Sequence, residues 1–409
     1  MPPRSQAAIL AFALTIITMG VNLHVPLYPA IAALDGRGLA ATTVAFSFYV
    51  AGILPVLLAL AGLPDRIGYR PVIIMALLLS GTATGLMAMS PHISTLAVAR
   101  LLLGVGTALM SATALAYMSQ IGMSQPLPGK PAGAQASHAA SWVAASTSLG
   151  FGLGPFVTTL TLYFTAAPGT LVPPSYIIHM SLVLLAGLLL WQVSGRMSEA
   201  GKPLSSPAVR MLRLPAYPPG ALWFGLAIAL AWATTGIIIS VLPAMLAQYG
   251  MAKWSGTTTL LAVSCGLLFQ PAARRCQPHR AVTIGLLTLL PAFVILAFGA
   301  LRGQLLLVLL GALMASSACY GFVYLGGLAG VAALADEGNH AQASKASVSA
   351  GFFMLAYVGF SLPVVFTGAL ADAFGKAAAM TVFGGFLVLG VAALLWWRRP
   401  RVVLGKVGV

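Results

Sequence analysis

Charged and titratable side chains are scarce in this chain of 409 residues, so the few that occur limit the chemistry open to it. The most informative group is Leu63-Pro64-Asp65-Arg66-Ile67-Gly68-Tyr69-Arg70, which joins an acid to two arginines between two apolar stretches. A turn this short cannot hide three charges in lipid, so it lies at a membrane surface and sends the chain straight back. Asp65 can pair with Arg66 or Arg70, or face the positive end of a neighbouring helix, and Gly68 permits the tight backbone. Arg100 is placed differently, inside an apolar stretch, where insertion scales put the cost of a cation at about 2.5–3.5 kcal/mol. Either it snorkels to the nearby surface, or it faces a wet cavity and binds a proton-relay partner or an anion. His24, beside Asn22 and Tyr28, is the candidate proton carrier, because histidine titrates near working pH; the other reading is a structural histidine at a helix end. His179 is a second such group. Asp35, just beyond the first apolar stretch, could couple at the outer mouth. No Asp or Glu falls inside any apolar stretch as bounded below, which disfavours gripping a cation by charge.

Several chemistries find no support. Cys265, Cys276 and Cys319 stand in no metal-ligand or redox spacing. There is no His/Glu metal cluster, nucleophile motif or nucleotide loop, so no metal and no cofactor is expected, and a membrane-embedded enzyme or sensor is the least supported class.

The elements that must carry these residues follow from composition. The chain is 59% hydrophobic and only 7% charged, against about 25% charged in soluble domains. A span needs about 20 apolar residues, and twelve are read: 7–33, 42–63, 71–89, 95–122, 139–164, 175–193, 220–249, 255–273, 281–301, 304–334, 348–371 and 377–397. The division is 1–193 as one six-helix half, 194–219 as a polar linker, and 220–409 as the second half with a short basic tail. The first span is too long for a signal-peptide core, so no cleavable signal is expected. With the N-terminus in the cytoplasm, sixteen Lys and Arg fall on the inner side and four on the outer. Both termini are therefore expected to be cytoplasmic. The net charge of +15 then reflects topology and attraction to lipid headgroups, not nucleic-acid binding.

The halves also echo one another. Pro29-Ala30-Ile31-Ala32-Ala33, followed by Gly36 and Thr43, aligns without a gap on Pro243-Ala244-Met245-Leu246-Ala247, followed by Gly250 and Thr257. Gly150, Gly154 and Pro155 let one helix approach a neighbour closely and bend. Trp232, Tyr320, Tyr324 and Tyr357, with Asn22 and His24, are candidates to line a central cavity, because pockets join apolar walls to a few polar groups.

Three segments carry a family resemblance. Leu63, Asp65, Arg66, Gly68 and Arg70 match the loop signature G-x-L-x-D-R-x-G-R-K of the major facilitator superfamily, with departures at Ala61 and Tyr69. Arg100-Leu101-Leu102-Leu103-Gly104-Val105-Gly106 resembles its R-x-x-Q-G-x-G motif, with Leu103 in place of Gln. Gly150-Phe151-Gly152-Leu153-Gly154-Pro155 resembles the antiporter motif of the twelve-helix drug:proton antiporter branch, with Thr158 and Thr159 where a glycine pair is common. A second loop-like pattern, Gly368 to Lys376, falls on the outer face in this topology. The resemblance implies an all-α polytopic membrane protein of twelve transmembrane helices in two six-helix pseudo-repeat halves, working as a monomer in a lipid bilayer. It implies a secondary active transporter that exports a small organic solute (a metabolite, siderophore-like chelator or drug) by proton antiport. The alternative is proton-coupled import of a sugar or metal chelate. In the family, the Asp65, Arg66, Gly68 and Arg70 loop would latch one half against the other on the cytoplasmic side. The compact loops suggest a bacterial inner membrane.

Overall fold

The computed structural model describes residues 3–60, 63–124, 132–165, 171–192, 215–337 and 345–397. Inside a bilayer each backbone N–H and C=O must be paired within its own segment, so apolar spans fold as helices. The first half holds α1 (Pro3–Asn22), α2 (Leu39–Ala59), α3 (Tyr69–Met89), α4 (Ile93–Ser124), α5 (Ala132–Phe164) and α6 (Pro174–Gln192). The second holds α7 (Ala221–Ser240), α8 (Ser255–Ser264), α9 (Pro278–Arg302), α10 (Leu305–Ser316), α11 (Lys345–Phe374) and α12 (Lys376–Trp397). Among the described residues, eleven helical stretches are long and apolar enough to cross a membrane. The remaining span is α8 with its continuation through Cys265–Phe269 and Gln270–Ala273. It is shorter in regular helix and carries Thr257, Thr258, Thr259 and Gln270.

The spans differ from the sequence reading in how they break. Span one is interrupted after Asn22, passes through a 3₁₀ turn at Val25–Leu27 and resumes as Tyr28–Leu34; span seven breaks after Ser240 and resumes as Leu242–Ala247. The prolines explain this, since Pro26, Pro29 and Pro243 lack the N–H that a continuous helix would use and clash with the carbonyl four residues back. Span ten widens into a π-helix at Ser317–Val323 before continuing as Tyr324–Glu337. Helix α11 runs on to Phe374, so Asp372, read from sequence as lying beyond its span, is a helical residue. The stretch 123–138 left between the fourth and fifth spans is partly helical, because α4 extends to Ser124 and α5 begins at Ala132. Most of the expected linker lies outside the described residues.

The internal repeat extends to individual hydrogen bonds. Arg37 N–H donates to the Ala32 carbonyl at 2.9 Å and Gly36 N–H to Ala33 at 3.2 Å; in the second half, Met251 N–H donates to Leu246 at 2.9 Å and Gly250 N–H to Ala247 at 3.1 Å. Gly36 and Gly250 have φ of +59° and +67°. Each is a Schellman stop, in which glycine takes the left-handed position that ends a helix.

An even number of spans puts both termini on one face. On the opposite, far face, Asp35 ties two loops together. Its Oδ2 accepts the Ile93 N–H at the start of α4 at 2.7 Å, and its Oδ1 pairs with His92 Nδ1 at 2.5 Å. The halves pack through α2 on α11, α5 on α8, and Tyr28–Leu34 on Leu242–Ala247.

The hydrogen bond from His92, then that from Ile93, holds the Asp35 carboxyl below its ordinary value. A lowered native pKa stabilises the fold above the unfolded-state value and loses that contribution as pH falls through the native one. Asp35→Asn is therefore expected to lower the thermal midpoint at pH 7, with the gap to the parent narrowing below about pH 3.8. Thermal scans in detergent across pH measure this; a gap independent of pH would remove the charge from the explanation.

Candidate functional site

Arg100 lies two turns into α4 and is fully buried, at 0% exposure. It does not snorkel. Its Nη2 donates to the Tyr28 hydroxyl and its Nη1 to Asn22 Oδ1 at 3.5 Å. The guanidinium carbon stands 4.7 Å from the ring centre of Phe46 and 5.5 Å from that of Tyr28. Among the described residues the one ion pair is Asp35 with His92, so Arg100 has no carboxylate counter-ion there. Its Nε is buried without a partner. The break in span one positions two of these contacts, because it turns Asn22 and Tyr28 onto the same guanidinium.

The antiporter-type motif connects to this cluster through one side chain. Pro155 has no N–H, so the carbonyl four residues before it, on Phe151, loses its helical donor. Asn22 Nδ2 supplies the missing hydrogen bond at 3.1 Å. The same amide therefore satisfies the proline-freed carbonyl and presents its oxygen to Arg100. Gly150 and Gly154 make the approach possible: a Cβ on either would lie 2.0 Å from Thr18 Oγ1 or from the Met19 carbonyl oxygen of α1. On its other side the Pro155 carbonyl meets α8, where a Cβ on Gly256 would come within 2.0 Å of it.

The two histidines separate in character. His179 is held between the Ile16 carbonyl (3.0 Å, from Nε2) and Thr84 Oγ1 (2.9 Å, at Nδ1). A carbonyl can only accept, so Nε2 carries the proton and Nδ1 accepts from Thr84, which makes His179 a strut between α1, α3 and α6. His24 pairs through Nδ1 with the Tyr176 hydroxyl at 2.8 Å, and its Nε2 is buried with no partner.

The second half contributes an aromatic wall. Trp232 lies 6.3 Å from Tyr320, 6.3 Å from Tyr324 and 5.1 Å from Tyr357, so the four aromatics named from sequence do converge. Residues not singled out from sequence complete it. Phe360 stands 6.1 Å from Trp232 and 4.9 Å from Phe46, and Tyr49 stands 6.3 Å from Tyr357. A continuous path of ring contacts thus runs from Arg100 through Phe46 and Phe360 to Trp232, across the seam between the halves. The available signal was spacing: Phe46 and Tyr49, like Tyr357 and Phe360, are three residues apart and so share a helix face. Thr107, seven residues after Arg100 on α4, adds a hydroxyl to the arginine's face. The Tyr49 hydroxyl lies beside the hydroxyls of Thr107 and Tyr357, whereas the Trp232 indole N–H is buried without a partner, as is the Thr42 hydroxyl nearer the far face. Leaving such a group unpaired costs about 1–3 kcal/mol, so the Trp232 indole N–H and the Arg100 Nε point to a place that a solute or water fills.

The charged turn on the termini face makes its described contacts within its own half. Leu63–Ile67 forms a short helix and Gly68 takes φ +87°. Arg66 is exposed. Arg70 donates to the Trp191 carbonyl at 3.4 Å and lies 4.9 Å from the Trp191 ring centre, contacts with α6 of its own half. The Asp65 side chain lies outside the described residues.

A family model described as Major Facilitator Superfamily matches residues 10–346. No curated protein matches the chain by sequence. Among solved structures, a mutant of the nucleoside transporter NupG superposes with TM-score 0.75 at 13% identity, covering 96% of this chain and 99% of that one. The human organic anion transporter MFSD10 (TETRAN) superposes with TM-score 0.61 at 18% identity, covering 96% and 100%. Unmutated NupG gives 0.71 at 13% identity, covering 98% and 100%. At these identities the likeness is one of fold.

The Pro155–Asn22 link gives a coupled prediction. Asn22→Ala leaves the Phe151 carbonyl unpaired and is expected to destabilise the protein by about 1–3 kcal/mol. Adding Pro155→Ala restores a backbone N–H for that carbonyl and should recover part of the loss. A double-mutant cycle on unfolding midpoints tests this; strictly additive effects would break the link.

Proposed function

The chain belongs to the major facilitator superfamily, and from that membership and the cluster around Arg100 we propose a secondary active transporter for a small anionic or neutral organic solute with a planar ring. The observation that carries the substrate class is a fully buried guanidinium with no carboxylate partner among the described residues and a free Nε, facing aromatic side chains of both halves. An anion or a hydrogen-bond acceptor satisfies Arg100, and a ring system packs against Trp232, Tyr357 and Phe360. The organic anion named for one structural neighbour is consistent with this polarity.

The cycle is read as alternating access, with the solute site exposed first to one face and then to the other. The excess of Lys and Arg on the termini face supports a cytoplasmic orientation for that face, in a bacterial inner membrane on this reading. Contacts between Tyr28–Leu34 and Leu242–Ala247 close the far side of the seam, which fits an inward-facing state. Direction follows the span-five motif, hence export in exchange for protons. Exchange requires that solute and proton exclude one another. His24 offers this to a solute that donates a hydrogen bond to its unpartnered Nε2, because the lone pair so occupied cannot take a proton while Nδ1–H donates to the Tyr176 hydroxyl. The opposite coupling, proton symport, is favoured for a strongly anionic solute, because a negative charge beside Arg100 stabilises rather than opposes a proton on a neighbouring histidine. The charge of the transported solute therefore decides between the two.

Purified protein in liposomes containing a pH-sensitive dye tests this reading. Aromatic carboxylates and neutral ring compounds, added under an imposed proton gradient, are expected to trigger proton movement, and its sign reports exchange or symport. Arg100→Met should lower the transport of an anionic solute at least tenfold, and Arg100→Lys should restore only part of it, because an ammonium lacks the planar donor fork. Undiminished transport by Arg100→Met would overturn the role of the arginine. His24→Gln should remove proton coupling, so that an imposed proton gradient no longer drives transport; coupling that survives would move the proton elsewhere.

A further inference from the structure

The charged turn before α3 has a structural counterpart at the other end of the molecule. Asp65 is followed three residues later by Gly68 and then by Arg70; Asp372 is followed three residues later by Gly375 and then by Lys376. Gly68 and Gly375 take φ of +87° and +86°, and each immediately precedes a membrane helix, α3 and α12. The first turn lies on the termini face and the second on the far face.

Asp372, in the last turn of α11, uses its carboxylate to cap another helix. Its Oδ1 accepts the Leu39 N–H and its Oδ2 the Ala40 N–H, each at 2.8 Å. These are the first two amides of α2, whose N-terminus has no side-chain cap of its own, because Gly38 occupies the cap position. A carboxylate there satisfies two orphan donors and meets the positive end of the helix. Gly38 makes room for it, since a Cβ at that position would fall 2.2 Å from Asp372 Oδ2. The contact crosses between the halves, with α11 belonging to the second and α2 to the first. One turn back along α11, Gly368 packs against Thr43 of α2, where a Cβ would fall 2.1 Å from the Thr43 hydroxyl. Lys376 holds the neighbouring strut by donating to the Ala244 carbonyl at 2.9 Å. Beside these contacts lies a cleft of about 430 Å³ between the halves, lined by Arg37, Thr42, Ser240, Ala244, Asp372 and Lys376.

We propose that Asp372 is a gating residue of the transport cycle: its carboxylate, seated on the amides of Leu39 and Ala40, holds the far side of the seam shut and must leave them for that side to open. The proposal rests on the alternating-access reading and adds a residue that the central cluster does not include. The contact suits a reversible gate. It is strong enough to bias two states, yet Asp372 is exposed and its bond to the Ala40 amide lies at the surface, so water can take up the carboxylate when the two separate, while Leu39 stays buried.

The test reads conformation directly, without any solute. In a background with Cys265, Cys276 and Cys319 replaced by alanine, Ser240→Cys places a thiol at a cleft-lining position that is 0% exposed. Its rate of reaction with a polar maleimide in detergent reports how often the far side opens. Asp372→Ala is expected to raise that rate by about tenfold, the shift expected from losing one favourable charge–dipole contact. Gly38→Ala, which keeps the acid but blocks its approach, should move the rate the same way. It also carries the test if the aspartate variant does not fold. Labelling as slow as the parent's in folded Asp372→Ala or Gly38→Ala protein overturns the latch. Because labelling needs no transported solute, a failed transport screen leaves this result standing. Normal transport with unchanged labelling removes the latch alone.

Discussion

A guanidinium buried at membrane depth without a counter-ion among the described residues must find oxygen acceptors and ring faces, and much of the first half is arranged to provide them. Span one breaks at Leu23 and His24, so that Asn22 and Tyr28 both reach Arg100. Helix α5 bends at Pro155, and the carbonyl this frees on Phe151 fixes the Asn22 amide with its oxygen toward the arginine. Gly150 and Gly154 bring α5 near enough to α1 for that bond to form. Phe46 of α2 offers its ring to the remaining face of the guanidinium. A motif that reads in sequence as a packing surface thus serves, in three dimensions, to position a polar side chain.

The two seams between the halves are built differently. Helices α5 and α8 meet through small and hydroxylated residues: Ser264 Oγ donates to the Ser148 carbonyl at 2.7 Å, Thr159 Oγ1 to the Lys253 carbonyl at 2.5 Å, and Gly256 N–H to Thr159 Oγ1 at 3.2 Å. Close backbone approach of this kind is how helices associate in lipid, where no hydrophobic force drives them together. Helices α2 and α11 instead meet through Asp372 at the far end and through Phe46, Tyr49, Tyr357 and Phe360 further in.

The repeat is accurate in backbone and divergent in side chains. The same glycine stop, with matching hydrogen bonds, closes the paired segments Tyr28–Leu34 and Leu242–Ala247. Yet the buried arginine and both membrane-embedded histidines belong to the first half, and Trp232 and the tyrosine cluster to the second. Duplication supplies two halves of like local geometry. Divergence lets one carry polarity and the other an aromatic wall, and the two meet across the seam.

Much of this was legible in the sequence. Hydropathy specified the helices, because lipid allows an apolar segment few other folds, and the Pro29 and Pro243 registers marked the duplication. The cost of a charge in lipid singled out Arg100, and residue type singled out His24, Asn22 and the four aromatics. Only the tertiary structure decided where these side chains point. Arg100 stands close enough to a helix end to have snorkelled, and one-dimensional spacing cannot distinguish outward from inward at that depth. Asn22 bonding the Phe151 carbonyl, Phe46 meeting Phe360 and Asp372 capping α2 join residues 129, 314 and 333 positions apart. Local propensity carries no information at such separations. The packing of helices brings these groups together, and the penalty on unpaired polar atoms in a low-dielectric interior then selects which of them pair.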